Sequence, residues 1–245
     1  MRIIFLSIFF LILLSACNIN NEPTIIKSDN PDSSNSQPEL VEDEDEVQDN
    51  EEEVEEFIDF PLDDEQITVN LKMVPILSEY LNAIEDRKSV IEEMKLNRPH
   101  EKAEDIYLLE FSCQNHSCSY LLFNQAKDQE AYLLADLAKL SNVIMSPDNE
   151  KLLFKFNREK SLPLPLTNLV MIDFENWERL SLGNNTSDAN ILNYNWPLLK
   201  INWLDNKRIA VEKPAVIEPT SDRLEEWNQE ETEERKTINM HIINN

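Results

Sequence analysis

The chain has 245 residues and a formal net charge of -26, distributed as +1 over residues 1–17, -18 over residues 18–65 and -9 over residues 66–245. An acidic surface repels phosphate polyanions, and no Lys/Arg cluster interrupts it, so nucleic acid is excluded as a partner. Gly183 is the single glycine. Phosphate-cradling loops, dinucleotide turns and Gly-x-Ser-x-Gly elbows all need glycines where the backbone closely approaches a ligand, so those chemistries are excluded too. Asparagine can replace glycine at left-handed turn positions, and Asn149, Asn184 and Asn206 are placed to do so.

In chain order, Arg2 precedes an apolar run from Ile3 to Leu14, broken only by Ser7 and followed by the small residues Ser15 and Ala16. The run is shorter than the ~20 apolar residues that span a bilayer comfortably, which fits a cleaved export signal over residues 1–16. The tetrapeptide Leu14-Ser15-Ala16-Cys17 resembles the lipobox of bacterial lipoproteins. The resemblance implies lipidation of Cys17, cleavage before it, and a chain anchored at the extracytoplasmic face of the cell membrane. Two acyl chains anchor durably where one gives only marginal binding.

Residues 17–65 are expected to be the lipidated cysteine and a disordered acidic linker. Between Glu42 and Glu56 there is no basic residue and only two valines, too little apolar surface to offset chain entropy. A coil of that length reaches roughly 40 Å, so the linker reads as a spacer that lifts a domain off the membrane. A calcium-binding reading of the acidic run is weaker, because it has no turn glycine and an acidic block is usually only solvated.

Residues 66–245 are expected to form a β-rich extracytoplasmic domain. It opens with one amphipathic helix at about 74–95, where Val74, Leu77, Leu81, Ile84 and Ile91 recur at helical spacing and Pro75 sits near the start. From Asp105 the pattern changes to short apolar runs bounded by Asn, Asp and Pro. It predicts strands at 106–112, 118–124, 130–135, 141–146, 151–156, 168–174, 177–182, 199–204, 207–212 and 236–243. The acidic stretch 222–234 reads as an exposed insertion in which Trp227 packs locally or meets a partner.

Two hairpins share a pattern: Met145-Ser146-Pro147-Asp148-Asn149-Glu150-Lys151 leading into Leu152-Leu153-Phe154, and Asn202-Trp203-Leu204-Asp205-Asn206-Lys207-Arg208 leading into Ile209-Ala210-Val211. In each, an Asp-Asn pair can make the turn and a base opens the next strand. The pattern resembles the Ser-Pro-Asp-Gly turns of TolB-like and WD40-like β-propeller blades, with Asn in the glycine's place; Tyr120-Leu121-Leu122-Phe123 suggests a third copy. The fold class expected is therefore mainly β, an antiparallel meander or incomplete propeller-like set of sheets with one N-terminal helix.

With Cys17 taken by lipid, Cys113 and Cys118 form an even pair in an oxidising compartment. Four residues separate them at what reads as a hairpin tip, a spacing that favours a disulfide. Free thiols are one alternative and a metal site on Cys113, His116 and Cys118 another, though the latter lacks a fourth partner and the spacing of zinc frameworks. His100, His116 and His241 are scattered and support no catalytic triad. Trp177, Trp196 and Trp203 read as core aromatics rather than a sugar platform. Asn115-His116-Ser117 and Asn184-Asn185-Thr186 match the glycosylation sequon, which is idle in a bacterium. No catalytic residue, metal or cofactor is assigned. The reading is a membrane-anchored, non-catalytic interaction module for an envelope protein or polymer. The alternative is an envelope hydrolase of carbohydrate that uses Asp/Glu residues the sequence cannot locate.

Overall fold

The computed structural model describes residues 23–28, 37–42, 56–127, 131–160, 162–184, 186, 190–229 and 233–243. The expected signal over residues 1–16, the lipobox, Cys17 and residues 43–55 of the acidic run lie outside the described residues. Within them the fold is mainly β and antiparallel throughout.

Four strands form a first sheet: β1 (Ile25–Ser28), β2 (Glu39–Glu42), β3 (Glu56–Leu62) and β4 (Glu65–Asn70), in the order β1-β4-β3-β2. Two short helices follow, α1 (Pro75–Asn82) and α2 (Arg87–Glu92). Ten more strands then make one continuous sheet: β5 (Lys95–Asn97), β6 (Ile106–Gln114), β7 (Ser117–Asn124), β8 (Tyr132–Met145), β9 (Lys151–Arg158), β10 (Leu166–Asp173), β11 (Glu178–Asn184), β12 (Lys200–Asp205), β13 (Arg208–Pro214) and β14 (Arg235–Ile243). The helix α3 (Ser221–Gln229) interrupts the β13–β14 connection. The order across this sheet is β12-β13-β14-β11-β10-β9-β8-β7-β6-β5.

Two strands change partners along their length. The first half of β8 pairs with β7 up to Ala138, and the second half pairs with β9 from Lys139 to Met145. Likewise β11 pairs with β10 through Leu180 and with β14 from Ser181 to Asn184. The continuous sheet therefore divides into three four-stranded units, which with the first sheet make four: I (β1–β4), II (β5–β7 and the start of β8), III (the end of β8, β9, β10 and the start of β11) and IV (the end of β11, β12–β14).

Three apolar layers follow these units. Ile58, Phe60, Ile67 and Val69 of sheet I pack with Leu77, Leu81 and Ile91 of the helices and with Tyr107, Leu109, Phe111, Leu121 and Phe123 of sheet II. The other face of sheet II, through Ile106, Leu108, Tyr120 and Leu122, packs with Leu152, Phe154, Phe156, Val170 and Ile172 of sheet III. The opposite face of sheet III, through Leu153, Leu169 and Met171, packs with Ile209, Val211, Ile238 and Met240 of sheet IV. Successive residues of a strand point to opposite faces, so a strand covered on both sides reads as a continuous apolar run rather than an alternating one. That is the pattern of Leu152-Leu153-Phe154 and of Leu169-Val170-Met171-Ile172. Each buried Leu, Ile or Phe contributes roughly 1.5–3 kcal/mol relative to exposure.

Several expectations need correction. The linker expected to be disordered over 17–65 contains β1, β2 and β3, whose strands cover the outer face of sheet II. Asp59 alternates with the buried Ile58 and Phe60, and Glu56, which shares their face at the strand's start, is paired with Arg87, so high charge does not prevent burial of Ile58 and Phe60. The domain boundary at 66 would fall inside the β3–β4 hairpin, where Leu62 pairs with Glu65. The single helix at 74–95 is instead two: Ala83 closes α1, and the Asp86 carboxylate accepts the Ser89 N–H at 3.1 Å to start α2 afresh. The strands expected at 130–135 and 141–146 are the two halves of β8, bent between sheets. Part of the insertion 222–234 is the helix α3, in which Leu224 and Trp227 are buried and the Trp227 indole N–H donates to the Glu234 carbonyl.

The turns confirm one asparagine stand-in. Asn149 has φ 60°, whereas Asn184 and Asn206 do not take positive φ. Gly183 has no positive φ either; it admits Ile243, whose Cδ1 lies 2.6 Å from where a Cβ would stand. The two similar hairpins share a different device: Asp148 pairs with Lys151 at 2.9 Å and Asp205 with Arg208 at 2.6 Å, each three residues on. The base that opens the second strand thus closes its own turn.

Candidate functional site

The tip of the β6–β7 hairpin brings together the two cysteines singled out in the sequence. Asn115 and His116, with φ 48° and 65°, form the two-residue connection between Gln114 and Ser117. Two consecutive positive φ values match the twist of the flanking strands, and Asn at the first position tolerates that conformation. Register shifts by one between Phe111 and Gln114, so β6 carries one extra residue there, and Ser112 takes φ 51°. This bulge decides the site. Without it, Cys113 would point to the face opposite Glu110; with it, Cys113 joins Glu110 and Cys118 on the side facing sheet III.

The Cys113 and Cys118 sulfurs are at disulfide-bonding distance, and their Cα atoms are 4.0 Å apart. Cys113 is exposed and Cys118 buried. The Glu110 Oε1 atom lies 3.6 Å from the Cys113 sulfur and 3.3 Å from the Cys118 sulfur. Tyr120, directly across the ladder from Glu110, sets its hydroxyl beside that carboxylate and accepts the Leu140 N–H at 3.2 Å. Burial, above all, pushes the Tyr120 hydroxyl up from its ordinary pKa, and the negative charge of Glu110 adds to it. Sequence reasoning found the cysteines but missed Glu110 and Tyr120. Glu110 is the lone acid in the run Ile106-Tyr107-Leu108-Leu109-Glu110-Phe111, and that interruption is the signal.

Comparison with protein-family models, with curated proteins and with solved structures finds no match.

The three histidines occupy separate elements: His100 on the turn before β6, where its Nδ1 accepts the Lys102 N–H at 3.2 Å, His116 at the exposed hairpin tip and His241 on β14. The tryptophans join the apolar layers. Trp177 is buried between sheets II and III and lies 5.0 Å from the Tyr132 ring; Trp196 and Trp203 pack against the layer between sheets III and IV.

A second cluster, unseen in the sequence, fastens residues 190–199 across the start of β10. Arg158 lies 4.0 Å from the centre of the Tyr194 ring, and the Lys213 ammonium 3.3 Å from that of Trp196. Lys155 donates to the Leu198 carbonyl at 2.6 Å, and burial lowers its pKa. The Thr167 N–H donates to the Trp196 carbonyl at 2.9 Å. Because Ile191 and Leu198 belong to the layer between sheets III and IV, this segment seals that layer and has a structural role.

Proposed function

We propose that the chain is an extracytoplasmic lipoprotein: cleaved before Cys17, anchored by lipid on that residue, and carrying a non-catalytic binding module for an envelope protein or polymer. The observation that carries this reading is the Leu14-Ser15-Ala16-Cys17 sequence behind a short apolar run. A folded β stack whose remaining two cysteines stand at disulfide distance supports it, since such pairs persist in oxidising compartments. The stack of four-stranded antiparallel units supports the finer reading of an incomplete propeller-like architecture, in which blade-like sheets pack face to face.

The strands within the expected linker change the geometry of the tether. Residues 18–24 separate Cys17 from β1. Fully extended, they reach about 25 Å, so the module sits close to the membrane instead of being lifted by a long spacer. Binding to a partner already confined to the same membrane gains from this proximity through effective concentration.

The test is fractionation of cells expressing the chain and its Cys17→Ser variant, with protease added outside and a maleimide probe applied before and after reduction. The reading predicts membrane-bound, externally cleaved protein whose Cys113 and Cys118 label only after reduction, and in Cys17→Ser a chain that is either unprocessed or unanchored. Protease-protected chain with freely labelled thiols would overturn it.

A further inference from the structure

We propose that the hairpin tip is a redox-gated binding site for a thiophilic divalent cation, zinc or cadmium, formed by Cys113, Cys118 and Glu110 once the disulfide is reduced. The ligand atoms of these three residues all lie within 4.8 Å of one another. The inference concerns the hairpin alone and does not depend on lipidation or on the binding role proposed above.

The geometry favours a tetrahedral cation. With Zn–S of about 2.3 Å and Zn–O of about 2.1 Å, neighbouring S and O ligands in a tetrahedron stand roughly 3.6 Å apart. Glu110 Oε1 already stands 3.6 Å and 3.3 Å from the two sulfurs. Only the sulfurs need to separate, and breaking their bond frees the χ1 rotations that allow it. The disulfide itself offers no thiolate, so the oxidised tip is closed to metal.

A thiolate of a dithiol reductant attacks the exposed Cys113 sulfur, and Cys118 leaves as thiolate. The reductant's second thiolate then displaces Cys113, so the reductant ends as its own disulfide and two electrons have passed to the cysteine pair. Each displaced cysteine thiolate equilibrates with solvent protons, and a divalent cation then binds both as thiolates, returning to solvent any proton they had taken up. Glu110 is the third ligand, leaving one position open to water. Two thiolates and a carboxylate carry three negative charges against the cation's two, and thiolate donors select thiophilic metals over calcium or magnesium. The bulge at Ser112 is what places a cysteine on each strand on the same face as the acid.

The test uses the purified full-length chain carrying Cys17→Ser, so that only the hairpin thiols report. Cadmium is titrated into the oxidised chain and into the chain reduced with a dithiol that is then removed under argon. Binding is followed by the ultraviolet thiolate-to-metal absorption and by native mass spectrometry. The proposal predicts one cadmium per reduced chain with the thiolate band and none for the oxidised chain. It also predicts loss of the band in Cys113→Ser, affinity at least about 10-fold weaker in Glu110→Gln, and unchanged affinity in His116→Ala. Far-UV circular dichroism checks that each variant keeps its fold. Equal binding by oxidised and reduced chains, a full band in Cys113→Ser, or undiminished affinity in a folded Glu110→Gln would each overturn it.

Discussion

Leu153 and Phe154 are neighbours on β9, both 0% exposed, yet they belong to different apolar layers. Leu153 faces Met171 and the residues of sheet IV, while Phe154 faces sheet II and lies 6.3 Å from the Phe156 ring. If sheet III is covered on both sides, each alanine substitution removes a core side chain and leaves a cavity. Leu153→Ala should then cost about 2–5 kcal/mol and Phe154→Ala about 3–5 kcal/mol. An ordinary one-sided sheet would bury one of the two and leave the other within about 0.5 kcal/mol of the parent. Urea denaturation followed by tryptophan fluorescence distinguishes these cases. With a slope of roughly 1–3 kcal/mol per molar urea, a 3 kcal/mol loss lowers the midpoint by about 1–3 M. Asn202→Ala, on the exposed face of β12, is the control that leaves the midpoint in place. A parent-like midpoint for either Leu153→Ala or Phe154→Ala would refute the stack.

Removal of residues 1–65 strips β1–β3 and uncovers Tyr107, Leu109, Phe111, Leu121 and Phe123, so that fragment should aggregate or bind a hydrophobic dye, whereas a chain starting at residue 23 stays monomeric on size-exclusion chromatography. The Arg87 guanidinium grips Glu56 through two bonds of 2.9 and 2.7 Å and holds its carboxyl below the usual range. A carboxylate with a lowered folded pKa contributes stability above its unfolded value near ~4.3, and that contribution is lost as pH falls through the folded value. Glu56→Gln should therefore lose about 1 kcal/mol at pH 7, and the gap from the parent should close in strong acid, as read from denaturation midpoints. Leu137 is exposed at φ 44°, so Leu137→Gly should hold or raise stability by up to about 1 kcal/mol, while Leu134→Gly, at a buried position of the same strand, should lose more than about 3 kcal/mol in the same assay.

The strands after residue 105 were legible because uninterrupted apolar runs between Asn, Asp and Pro turns mark them whichever partner they meet. The partners themselves were not legible. Leu152-Leu153-Phe154 shows that both faces are covered but not by what, and the bend in β8 lies at Leu137, within the stretch 136–140 where Asp136 and Lys139 break the apolar pattern between two expected strands. The first sheet was hidden by its own charge, since a window over residues 39–65 averages Phe57, Ile58 and Phe60 with the surrounding acids. The restart at Asp86 carries a capping signal, but the apolar spacing runs straight through it. At the hairpin tip the cysteine spacing was enough to indicate a pairing. The acid beside it depended on a one-residue bulge at Ser112, which nothing in the residue types announces.

The most direct test of the proposed address is the intact mass of the chain extracted from membranes with detergent. Lipoprotein processing predicts a chain that begins at Cys17, heavier than residues 17–245 by a diacylglyceryl group and lighter by the two hydrogens of the Cys113–Cys118 disulfide, whereas a mass that includes residues 1–16, or an unmodified Cys17, would contradict it.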